Sequence, residues 1–180
     1  EELLDDLGEQ IPAWRVSAQD ELIGRGAKHR LDLIKALDSG KLSEGQETWA
    51  AWTLGRMAGW PSDTEYSFGK WSDPSSNASL NLRVQSVRIW GESGEIEAFK
   101  YVAARLDDKE PRVRFAAALA LRNLKELEPG AEKPLLDALA AETDRVTFYA
   151  QWHTLRAMLK AEERRKHLAD KRGGARLGAL

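Results

Sequence analysis

Five stretches of this 180-residue chain repeat one pattern at nearly even spacing, and that regularity constrains the fold more than any other feature. The clearest copy runs Pro111-Arg112-Val113-Arg114-Phe115-Ala116-Ala117-Ala118-Leu119-Ala120-Leu121-Arg122-Asn123-Leu124. Val113, Ala117, Ala120, Leu121 and Leu124 recur at the offsets that share one face of an α-helix. The alanines on that face let a neighbouring helix approach closely. A second helical stretch, Ile96 to Leu106, precedes it with Phe99, Val102, Ala103 and Leu106 as its apolar stripe. Asp107 to Glu110 form the turn, and Pro111 suits the first turn of a helix, where its missing N–H is not needed.

With Val113 as anchor, the same unit is found at Trp14, Glu47, Leu82 and Val146, each followed four residues later by a small side chain. The anchors lie 33, 35, 31 and 33 residues apart. First helices are expected at Glu2–Leu7, His29–Leu37, a weak element within Thr64–Trp71, Ile96–Leu106 and Pro134–Ala141. No strand pattern competes. The expected fold is all-α, a solenoid of about five stacked helical hairpins, with residues 1–170 as the repeat domain and 171–180 as a frayed C-terminal tail. Five hairpins exceed the three or so that a repeat array needs, so independent folding is expected.

Composition narrows the function. With 27 basic and 29 acidic residues the net charge is −2, which argues against nucleic acid, whose binders neutralise phosphates with a basic surface. There is no cysteine, hence no disulfide, thiolate nucleophile or iron–sulfur ligation in this sequence. No apolar run reaches the roughly 20 residues that span a bilayer, and no apolar targeting stretch follows Glu1. The three histidines, His29, His153 and His167, show no metal-ligand spacing, and neither a Gly-x-Ser-x-Gly elbow nor a glycine-rich phosphate loop is present. The acidic pairs Asp5-Asp6, Asp107-Asp108 and Glu162-Glu163 fall at helix ends or on a charged helix, where capping and solvation account for them. The basic stretch from Lys160 to Arg176 reads as a polar helix closing the array.

The run from Asp107 to Leu121, Asp-x-x-x-x-x-Val-Arg-x-x-Ala-x-x-Ala-Leu, resembles the HEAT repeat and its phycobilisome-lyase-like variant. The central pattern of tetratricopeptide repeats is not found. A narrower resemblance rests on Leu3-Leu4-Asp5-Asp6-Leu7 and Ala13 to Gln19 within Glu2–Gly26, on Glu47 to Arg56 and on Ser79 to Ile89. These look like the HEAT segment of large bacterial PVC-type haem-binding, dehydrogenase-like proteins. That resemblance implies a connecting scaffold, exported or periplasmic; without it, a cytoplasmic location is the default. It transfers no haem role, because the Cys-x-x-Cys-His motif is absent.

Two groups of residues are candidates for contact. On the concave side of the expected array stand Arg15, Trp52, Arg83, Arg114 and His153. Arg15, Arg83 and Arg114 share one position in three hairpins, and read either as guanidiniums facing an acidic partner or as a ladder bonding the turn backbone. The second group lies in the aromatic, turn-rich stretch Gly59–Ser79: Trp60, Tyr66, Phe68 and Trp71. These either fold inward as a substitute core or form a contact loop. The reading reached is a non-catalytic protein-interaction scaffold or inter-domain spacer, partnered by protein or by neighbouring domains, with no cofactor and no metal. Two other roles stay open: a haem- or chromophore-associated helper, and a HEAT-like DNA-alkylation-repair glycosylase.

Overall fold

A computed structural model describes residues 2–57, 68–94, 98–124 and 130–180. Among them every regular element is helical. The chain divides into two compact units, Glu1–Ile89 and Trp90–Leu180.

In the first unit, α1 (Glu2–Asp6) packs on α2 (Pro12–Arg25), and α3 (Arg30–Asp38) packs on α4 (Glu44–Arg56). α2 and α4 lie side by side. Pro12 opens α2, as its fixed φ favours. Ser43 and Gln46 close a reciprocal capping box at α4, Ser43 N–H donating to Gln46 Oε1 at 3.0 Å and Gln46 N–H to Ser43 Oγ at 3.3 Å. Such a cap is worth about 1 kcal/mol. Gln46 also reaches back to the Leu4 carbonyl, fastening the first hairpin to the second. Leu7, Leu22, Leu33, Leu37, Leu54 and Met57 fill the core. Residues 68–72 are helical, which agrees with the end of the weak element expected there; residues 58–67 lie outside the described residues. α5 (Leu80–Ser93) carries the division between the units, with Leu82, Val84, Val87 and Ile89 buried on the first-unit side.

In the second unit, α6 (Ala98–Ala104) runs into a 3-10 turn, Arg105–Asp107, and pairs with α7 (Pro111–Asn123). α8 (Glu132–Ala141) pairs with α9 (Arg145–Met158), and α9 packs along α7. Val102, Val113, Leu121, Leu135, Leu139 and Leu155 are fully buried, each worth about 2 kcal/mol in apolar burial. Gly91 is required by close approach: a Cβ there would lie 2.6 Å from Ala120 of α7. Gly130, at φ 88°, makes the turn into α8 in a conformation that favours glycine.

Two details differ from the sequence reading. The last anchor is Thr147, not Val146: Thr147, Ala150, Gln151, Thr154 and Leu155 are buried, while Val146 is 65% exposed. Val113 and Thr147 are therefore equivalent, 34 residues apart. The reason is polar. Thr147 Oγ1 donates to the Pro111 carbonyl at 3.3 Å and Thr154 Oγ1 to the Ala118 carbonyl at 2.8 Å, so both hydroxyls are satisfied inside. Secondly, after α10 (Ala161–Arg165) and a 3-10 turn, the stretch expected to fray holds α11 (Gly173–Ala179). α11 packs on α8 and α9 with Ala175 and Ala179 buried, and Gly174 and Gly178 sit flush against Leu139.

Candidate interaction surface

The arginine ladder divides by what each guanidinium touches. Arg114 Nη1 donates to the carbonyls of Asp108 and Lys109, at 2.8 and 3.2 Å. Arg15 does the same to Glu9 and Gln10, and Arg176 to Asp170 and Lys171. In all three the acceptors lie six and five residues back, in the turn before the helix. The turn carbonyls that no helix satisfies are thus bonded by a charged donor from the helix that follows. Arg15 also lies over the Trp49 ring, 5.5 Å from its centroid.

Arg114 does more. Its Nε and Nη2 reach both oxygens of Glu142 at 2.8 and 2.6 Å, a bidentate pair linking two successive hairpins. The Glu142 side chain is 1% exposed. It further accepts from the Thr143 and Asp144 backbone N–H groups and from Gln151 Nε2. Burial acts to raise the Glu142 pKa, but the Arg114 hydrogen bonds and the backbone donors outweigh it and hold the carboxyl below its ordinary range. The hydrogen bond to Glu142 raises the Arg114 pKa in turn. Asp144 caps α9 by accepting from Thr147 N–H at 2.8 Å, and that bond lowers its pKa.

The other expected contact residues fall in different places. Arg83 is 6% exposed, within the first unit. Trp52 donates from Nε1 to Gln85 Oε1 at 3.0 Å, and Arg88 lies over its ring. Phe68 and Trp71 are buried, edge to face at 5.5 Å, and Trp71 Nε1 donates to Asp38 Oδ1 at 2.7 Å. These two are core residues of the first unit. Trp60 and Tyr66 lie outside the described residues. His153 is exposed on α9, its ring 4.3 Å from Tyr149 and 4.8 Å from Trp152.

What the sequence reading missed is the surface around His153. One stripe of α7 open to solvent holds Arg112, Phe115 (half-buried), Leu119 and Arg122. Thirty-four residues on, α9 exposes Val146, Tyr149, His153 and Arg156. The two stripes coincide position by position in the repeat register. α11 adds Leu177 at the place of Phe115 and Tyr149, as the shared Arg114 and Arg176 locks show. Tyr149 is 58% and Leu177 56% exposed. Together α7, α9 and α11 carry Arg112, Arg114, Arg122, Arg145, Arg156 and Arg176, and not one Asp or Glu. Spacing did signal this surface: the residue two beyond the anchor is aromatic or apolar in each of these helices. Among the described residues no group of His, Cys, Asp and Glu is arranged to hold a metal, and no helix is long and apolar enough to cross a membrane.

No curated protein matches the chain. Residues 75–152 match the family of HEAT repeats, and this stretch holds α5 to α8 with the first part of α9. The paired helices agree with that match, and this part of the chain is similar to HEAT repeats.

Proposed function

We propose that the chain is a non-catalytic protein-interaction scaffold, and that the second helices of the Trp90–Leu180 unit carry its contact surface. One observation carries the reading: side chains suited to binding are left open, while the charged groups best placed for chemistry are engaged in structure. Tyr149, Leu119 and Leu177 spend apolar and aromatic area on solvent, beside arginines, in the composition favoured at protein interfaces. Arg114 and Glu142, the strongly bonded buried pair, hold one hairpin to the next. The partner is a protein or a neighbouring domain of a longer parent. The resemblance to PVC-type proteins points to the second case, with the segment as a connector.

The test places a photo-cross-linking phenylalanine analogue at Tyr149 of the full chain, and a second at Lys133, exposed on α8, as a control. A discrete protein adduct from Tyr149 and none from Lys133 is expected in extract of the source organism. A folded chain that yields no protein adduct from either position overturns the scaffold reading in favour of a passive spacer.

A further inference from the structure

We infer that the face formed by α7, α9 and α11 takes an extended, acidic protein segment bearing an apolar side chain at about every third residue. The inference rests on the scaffold reading and gives its partner a chemistry. It starts from the row Phe115–Tyr149–Leu177, one apolar or aromatic residue at the same place on three successive helices. Packed helices stand about 8–10 Å apart. A polyproline-II chain advances about 9 Å in each three-residue turn. A segment laid across the helices therefore presents every third side chain to the row, one per helix.

Charge decides the remaining positions. On α7 the row is flanked by Arg112 and Arg122, and on α9 by Arg145 and Arg156. Along α7 the two flanking arginines are about 15 Å apart, so the row lies in a trough with cations on both sides. The side chains of Arg112, Arg122 and Arg145 are exposed and make no hydrogen bond among the described residues, while Arg156 donates to the Leu180 carbonyl and lies over the Trp152 ring at 5.1 Å. With Arg114 tied to Glu142 and Arg176 to its turn carbonyls, the cations left on the face are Arg112, Arg122, Arg145 and Arg156; no carboxylate lies on its three helices, so it repels a basic partner and attracts an acidic one. Phosphate backbones satisfy the arginines equally well. Leu119, Val146 and Leu177 decide against them, because these exposed apolar groups gain nothing from phosphates and gain burial from a peptide's side chains.

The experiment measures anisotropy of three labelled probes against the full chain. One is a peptide of about nine residues with leucine at every third position and Asp or Glu between, enough for three turns. The second is its shuffled isomer, and the third is single-stranded DNA of matched charge. The patterned peptide is expected to bind at least about fivefold tighter than the shuffled one, and to lose about tenfold or more in Arg112→Glu/Arg122→Glu and in Tyr149→Ala. Lys133→Glu, away from the face, is expected to leave binding unchanged. These residues are exposed, so the variants are expected to keep their helicity and Tm. Equal binding of the shuffled peptide, tighter binding of DNA, no binding of the patterned peptide at millimolar protein, or self-association abolished by the double variant each overturns the inference. A Tyr149 cross-link that survives Arg112→Glu/Arg122→Glu removes the acidic partner and leaves the scaffold reading intact; no Tyr149 cross-link even with both arginines in place removes both.

Discussion

The two units build the same helical hairpin from different materials. In Trp90–Leu180 the helices meet largely through small and aliphatic side chains: Ala116, Ala117, Ala118 and Ala120 of α7 are all buried, and Thr147 and Thr154 of α9 bond to α7 carbonyls rather than to side chains. In Glu1–Ile89 the contact from α4 to α5 runs through a polar chain instead. Ser79 Oγ donates to Glu47 Oε2, Asn81 Nδ2 to Thr48 Oγ1 and the Glu44 carbonyl, Gln85 Nε2 to Asn81 Oδ1, and Trp52 Nε1 to Gln85 Oε1. α2 meets α4 in the same manner, through Gln19, Thr53 and Arg56. Charge differs too. Residues 1–89 hold ten basic and fourteen acidic side chains, and residues 90–180 hold seventeen and fifteen. α2 and α4 mix both signs, whereas α7, α9 and α11 carry one. The lesson is that a hairpin array leaves its interfaces free to be mainly apolar or linked by side-chain hydrogen bonds. The side that needs alanine inside can spend its large residues outside.

The comparison can be broken first where the core is largest. Trp71→Ala removes a buried indole and its bond to Asp38, and is expected to destabilise the first unit by about 4 kcal/mol. Amide exchange should show lost protection in α3 and α4, with α7 and α9 unaffected. Equal loss in both would make the chain one cooperative body and dissolve the distinction. Next comes Arg114→Ala, which leaves Glu142 buried without its cation and is expected to cost about 3 kcal/mol in urea denaturation.

The same pair sharpens the contrast through pH. Because the folded Glu142 carboxyl sits below its unfolded value of about 4.3, its stabilisation is complete above that pH and is lost as pH falls through the lowered folded value. The acid limb of the stability curve should flatten in Glu142→Gln, measured against wild type by thermal melts across that range. A smaller effect is expected at the polar interface of the first unit: Gln85→Ala, about 1 kcal/mol. The smallest is Tyr149→Ala, within about 0.5 kcal/mol, since this largely exposed ring touches only Trp152 and His153 of its own helix among the described ring contacts. A large loss there would mean that the open face is a structural surface.

Much of this was legible from spacing alone. The second helices begin within three residues of the expected anchors, because the anchor pattern is a property of one helical face. The slip at Val146 shows the limit. Hydropathy ranks valine above threonine, yet it is Thr147 that turns inward, because its hydroxyl has a carbonyl waiting on α7. The fully buried Gln151 was hidden for the same reason, since its amide donates to Glu142. α11 was hidden because its stretch was expected to fray as a chain terminus, though Asp170-Lys171 and Arg176 repeat the Asp108-Lys109 and Arg114 spacing. The open face was half visible: His153 was among the expected contacts, but Phe115, Tyr149 and Leu177 emerge once the register is corrected.

The arginine that ties down the turn behind it has a further consequence. Donor and acceptors fall within seven consecutive residues, so the tie closes as soon as those residues leave the ribosome, before any distant segment has been made. It also travels whole when a stretch of gene is copied or excised. The Arg114–Glu142 bond has neither property, since it needs two hairpins in order. An array that carries both kinds of bond can gain or lose hairpins by recombination with its turns already sound, and must then select again for the joints between them.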